Sequence, residues 1–128
     1  MVLSFNHVHI YCGDIEKHVG FFRELFGGKE LSRETRPNSI MMIRMEIQGI
    51  PFAFMTLPVD KGQLEPGKGK RGLDHIGFTV KDLKTTLEEM KKKGVPITQD
   101  LTLMPNGARI AFIGGPEGLR IELIQPAS

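Results

Sequence analysis
The amino-acid sequence predicts an α+β fold: two βαβββ modules in tandem, each a curved sheet with a helix on its outer side, pairing their sheets into a cleft. Two observations predict the duplication. A strand-to-helix junction is written twice, with His7 and His75, and Asp14 and Asp82, each 68 residues apart, and Pro58 and Pro126 close the halves at the same interval. A period this long in only two copies marks a duplicated module rather than a solenoid. The third observation is length: 128 residues bury one core comfortably and are short for two independent domains.

The first module spans about 4–58. Its opening run, NHVHIYC, is an apolar strand. Asp14 then caps a helix, along which Ile15, Val19, Phe22 and Phe26 recur on one face until Gly27-Gly28 stops it. His18 is expected on the exposed side of that helix. Three strand candidates follow, near 29–34, 40–48 and 51–57. The stretch VDKGQLEPGKGKRG at 59–72, rich in Gly, Pro and Lys and without apolar period, reads as a linker. Lys68, Lys70 and Arg71 within it either greet an anionic substrate or are solvated charge.

In the second module, about 73–126, LDHIGFTV at 73–80 is the first strand and Asp82 the cap. Leu83, Leu87 and Met90 form the apolar stripe, and Gly94 with Pro96 ends the helix. Strands are expected near 96–103, 107–113 and 119–125, with Asn106-Gly107 as the turn before ARIAFI. Met41, Met45, Phe52, Phe54, Met55 and Phe112 are expected in the core or lining a pocket.

Charged residues make up 25% of the chain and hydrophobic ones 40%, with a net charge of +2 and basic residues dispersed along it. Nothing here suggests disorder or a nucleic-acid surface. The single cysteine, Cys12, excludes an intrachain disulfide framework and a Cys-rich zinc module, and it is expected to be inert. No apolar run approaches the roughly 18 residues that span a bilayer. The expected setting is cytoplasmic, without membrane partners.

Residues i and i+2 of a strand share a face, so His7, His9 and Tyr11 stand on one side of the first strand. If the concave faces of the two modules look at each other, His7 and His75 come within reach of a common point. Glu122 lies inside the apolar stretch Ile121–Ile124, where an ionised carboxylate is costly unless paired or bound to metal. A structural pair with Arg120 is one account. The other is a facial set of two histidines and one carboxylate, which holds a divalent metal and leaves positions open for substrate or water. Arg44 and Glu46 alternate with Met45 and Ile47. Lining the cleft, Glu46 is a spare base or fourth ligand and Arg44 an anchor for a substrate carboxylate; pointing outward, they form a surface salt bridge.

The runs NHVHIYCGDIEKHVGFFRELFGG, LDHIGFTVKDL and NGARIAFIGGPEGLRIELIQP resemble the vicinal oxygen chelate superfamily, which includes glyoxalase I, methylmalonyl-CoA epimerase, extradiol dioxygenases and the fosfomycin and bleomycin resistance proteins. The resemblance covers essentially the whole chain. It implies that His7, His75 and Glu122 bind one divalent metal ion, with Fe, Mn, Ni, Co and Zn all compatible. Glyoxalases carry a further glutamate on the last strand of the first module, where this chain has Ala53 or Phe54 depending on register. Epimerases supply a glutamine from that module, and Gln48 is nearby. Tyr11 stands where glyoxalases usually have an arginine for glutathione.

The function so implied is a metal-dependent lyase or isomerase of the glyoxalase and epimerase type, acting on a small substrate chelated through vicinal oxygens. Glu122, His9 or Glu46 would act as base, and Tyr11 and Arg44 would bind substrate. An extradiol-type Fe(II) dioxygenase and a non-catalytic, bleomycin-resistance-like sequestering protein are the alternatives. Family members commonly form homodimers, sometimes with each site built from two chains.

Overall fold
A computed structural model describes residues 1, 6–56 and 75–128. The chain divides into two compact units, Met1–Gln63 and Leu64–Ser128. The stretch expected to link the modules, with Lys68, Lys70 and Arg71, lies outside the described residues.

In the first unit, β1 (Val8–Cys12) leads into α1 (Ile15–Phe26), followed by β2 (Lys29–Arg36), β3 (Ile40–Ile47) and β4 (Ile50–Thr56). The sheet order is β1-β4-β3-β2, with β1 parallel to β4 and the other pairs antiparallel. Asp14 caps α1 by accepting the Lys17 N–H at 3.1 Å, and Gly27 closes it at a φ of 66°. Gly28 has no room for a side chain: a Cβ there would meet Met45 Cε at 2.9 Å and the Phe22 carbonyl oxygen at 3.0 Å. Gln48, in left-handed backbone at the β3–β4 turn, donates its side-chain amide to the Phe26 carbonyl at 2.9 Å. It therefore serves the end of α1.

The helix covers one face of this sheet. Phe22, fully buried, meets Phe26, Phe52 and Phe54 with ring centroids 5.4 to 6.0 Å apart, and Ile43, Met45 and Ile47 complete the core. His18 departs from expectation. It is 2% exposed, its Nδ1 lies 2.9 Å from the Asp14 carbonyl oxygen, and its ring packs against Phe54. Its position explains this: His18 is three residues after Ile15 and four before Phe22, within the buried stripe.

The second unit repeats the plan with β5 (Ile76–Thr79), α2 (Leu83–Lys92), β6 (Ile97–Leu103), β7 (Arg109–Gly114) and β8 (Arg120–Gln125). Its order, β5-β8-β7-β6, again has one parallel pair, β5 with β8. Asp82 accepts the Thr85 N–H at 3.1 Å, and Leu83, Leu87 and Met90 are buried. The Asn106-Gly107 turn closes with the Met104 N–H donating to the Ala108 carbonyl at 2.8 Å. Two short 3₁₀ turns, Pro37–Ser39 and Pro116–Gly118, have no counterpart in the sequence pattern. Among the described residues no helix is long and apolar enough to cross a membrane.

The two sheets differ by one residue in a hairpin. Ile47 and Ile50 pair across the two-residue turn Gln48-Gly49, whereas the Gly115 N–H reaches the Leu119 carbonyl at 2.7 Å across three residues. The offset between copies is therefore 68 up to β7 and 69 in β8. The row Gly77–Glu122–Phe112 in the second sheet corresponds to His9–Ala53–Arg44 in the first. Ala53, not Phe54, is the counterpart of Glu122.

Candidate functional site
The face of the second sheet opposite α2 carries His75, immediately before β5, and Glu122 in β8. Gly77 pairs with Glu122, and a Cβ placed on it would lie 3.6 Å from Glu122 Oε1. The carboxylate thus extends over a bare stretch of β5. His75 Nε2 and Glu122 Oε1 stand 3.6 Å apart with side chains 33% and 18% exposed. That separation is too long for a hydrogen bond. Two ligands at about 2.1 Å from one metal ion sit about 3.0 Å apart at the right angles of an octahedral site and about 3.4 Å apart in a tetrahedral one, so a small side-chain adjustment suits both groups to a shared cation. The donor types, an imidazole and a carboxylate, fit a divalent ion.

Phe112 buttresses this pair. Its ring meets the His75 ring edge-on, with centroids 5.1 Å apart at 87°, and the Arg120 guanidinium carbon lies 4.7 Å from its centroid. The side chains of Arg120 and Phe112 are thus locked together beside the donors, a contact that residue spacing does not reveal.

In the first unit, the face opposite α1 carries His7, His9 and Tyr11. Ring centroids are 6.2 Å apart between His7 and His9 and 5.0 Å between His9 and Tyr11, as the strand alternation requires. His7 Nδ1 lies 2.7 Å from Asn6 Oδ1. With that nitrogen donating, Nε2 keeps its lone pair for a metal, an orientation device common to metal-binding histidines. Arg44 and Glu46 are exposed, and Arg44 falls in the row of His9. Cys12 lies on the opposite side of β1, 1% exposed.

Partial burial, then the positive charges of His7, Arg44 and Arg36, hold His9 below its ordinary pKa of 6.5. The folded protein thus favours the neutral ring, the form able to accept a proton. Because the unfolded chain binds the proton more readily, this group's contribution to stability is intact above 6.5 and is lost as pH falls from there through the folded pKa. In metal-free protein the His9 ring resonances are expected to titrate with a midpoint below 6.5, and Arg44→Gln to raise it. A midpoint at or above 6.5 would contradict the electrostatics described.

Residues 4–123 match the model of the Glyoxalase/Bleomycin resistance protein/Dioxygenase superfamily. A probable lactoylglutathione lyase of Synechocystis sp. is 28% identical over 95% of this chain and 95% of its own. Among solved structures, a glyoxalase family protein from Bacillus cereus aligns with a TM-score of 0.82 at 16% identity, covering 100% of this chain and 97% of that one. A mutant of the fosfomycin resistance protein of Listeria monocytogenes, complexed with Mn(II) and 1S,2S-dihydroxypropylphosphonic acid, aligns with a TM-score of 0.75 at 16% identity, covering 99% and 93%. The duplicated βαβββ plan and the match along nearly the whole chain lead to one assignment: this protein belongs to the Glyoxalase/Bleomycin resistance protein/Dioxygenase superfamily.

Proposed function
We infer that the chain is a divalent-metal-dependent enzyme of the glyoxalase and epimerase type, a lyase or isomerase acting on a small substrate that chelates through vicinal oxygens. The observation that carries this reading is the convergence of His75 Nε2 and Glu122 Oε1 at 3.6 Å on the face opposite α2. The Synechocystis relative, a probable lactoylglutathione lyase, and the Mn(II) held by the Listeria protein support it. His7, the counterpart of His75 in the duplicated pattern, is the third ligand, from the same chain or from a second copy in a homodimer. Bound there, the ion would supply Lewis-acid stabilisation to a substrate oxyanion.

The protein's own groups do the rest. Tyr11 and Arg44 bind and orient the substrate. Glu122, His9 and Glu46 are the candidate bases, and the depressed pKa of His9 suits that work near neutral pH. A second reading, ring cleavage by an Fe(II) dioxygenase, draws support from Ala53: with no side-chain donor at the counterpart of Glu122, the set is two histidines and one carboxylate with open positions. Oxygen uptake with a catechol under Fe(II) separates the two.

Elemental analysis of protein purified without a histidine tag tests the reading. About one divalent metal per chain, lost in His75→Ala, is the expected result. No metal after reconstitution would overturn it in favour of a sequestering protein.

A further inference from the structure
The duplication gives the paired strand residues of one sheet counterparts in the other, and along one row all three counterparts differ in kind. Glu122 stands between Gly77 and Phe112; Ala53 stands between His9 and Arg44, and the row continues to Ser32 on β2. A methyl group therefore replaces a carboxylate, and the side chains flanking it are an imidazole and a guanidinium, both hydrogen-bond donors. Neighbouring strands lie about 4.8 Å apart, so His9 and Arg44 straddle Ala53 across roughly 10 Å of sheet, a gap the long arginine side chain can narrow. The Tyr11 ring lies 5.0 Å from that of His9 and is exposed. Acidic neighbours are accounted for in part: Glu34 accepts from Arg36 at 2.9 Å, while Glu46 lies two residues along the strand from Arg44.

We propose that the place over Ala53 is a subsite for an anionic group of the substrate, a carboxylate or a phosphonate, whose oxygens stand in for the missing side-chain carboxylate and accept hydrogen bonds from Arg44 and His9. The Ala53 methyl is itself fully buried, so the anion rests among the flanking side chains rather than on the methyl. This deepens the reading above and rests on its premise that the face opposite α1 meets substrate.

The test titrates malonate and methylphosphonate separately into metal-free protein, following the Arg44 guanidinium and His9 ring resonances by NMR. At least one anion is expected to produce a saturable shift at Arg44, the tighter of the two identifying the group. Arg44→Gln removes a charged donor at an exposed position, and Ala53→Glu installs an internal competitor. Each should weaken binding by about tenfold or more, whereas Ala53→Ser should stay within about twofold. If Ala53→Glu fails to fold, Arg44→Gln carries the result. The subsite is overturned if neither anion perturbs Arg44, if Arg44→Gln binds as the parent does, or if Ala53→Glu raises Mn(II) affinity, which would make position 53 a ligand position. A parallel Mn(II) titration separates the two ideas: metal binding without anion binding sinks the subsite alone, and anion binding without metal binding sinks the metal assignment alone.

Discussion

Glu122→Gln is expected to lower Mn(II) affinity by more than about a hundredfold while leaving the chain folded. The estimate rests on comparison: losing a group that merely orients a ligand costs about 10 to 100-fold, and glutamine removes the anionic ligand itself. The fold should survive because the change keeps the side chain's shape. The partly exposed His75–Glu122 pair contributes of order 1 kcal/mol or less to stability. Metal competition titrations beside urea melts read both quantities on the same samples. Unchanged affinity would remove the carboxylate from the site, and a large loss of stability would recast the pair as structural.

Phe22→Ala should produce the largest destabilisation, about 3–5 kcal/mol, seen as a lower urea midpoint. The ring is fully buried and sits at the centre of the contacts that join α1 to β4, touching Phe52 and Phe54. Deleting it leaves a cavity lined by rings that cannot collapse without tilting the helix. Against a total stability of roughly 5–15 kcal/mol, such a loss brings much of the population close to unfolding. A cost below about 1.5 kcal/mol would mean that the helix is held by other contacts.

Local signals carried most of the architecture. Asp14 and Asp82 act as caps because their carboxylates satisfy free helix N–H groups, and the stripes beginning at Ile15 and Leu83 are buried as their spacing demands. His18 shows where reading by residue type fails: its stripe position decides its burial, and the Asp14 carbonyl gives its ring nitrogen a partner. Register is the other blind spot. Ala53 and Phe54 are equal candidates for the counterpart of Glu122 until strand pairing is known, because a one-residue shift exchanges the faces of a sheet. Gln48, adjacent in sequence to the proposed site, is taken up by the Phe26 carbonyl at the end of α1. The stacking of Arg120 on Phe112 joins residues of neighbouring strands and leaves no trace in spacing along the chain.

The three-residue hairpin at Pro116–Gly118 has a consequence for where this fold can change length. A hairpin tip is the place in a sheet where the chain can gain a residue without turning those beyond it over. Had the same insertion fallen inside β8, Glu122 would have been carried to the side of Leu87 and Met90, where an unpaired carboxylate costs several kcal/mol, and Leu123 would have been turned out in its place. Tolerance to insertion therefore concentrates at the hairpin tips, Pro37–Ser39, Gln48-Gly49, Asn106-Gly107 and Pro116–Gly118. Lengthening at any of them leaves the alternation of the flanking strands intact.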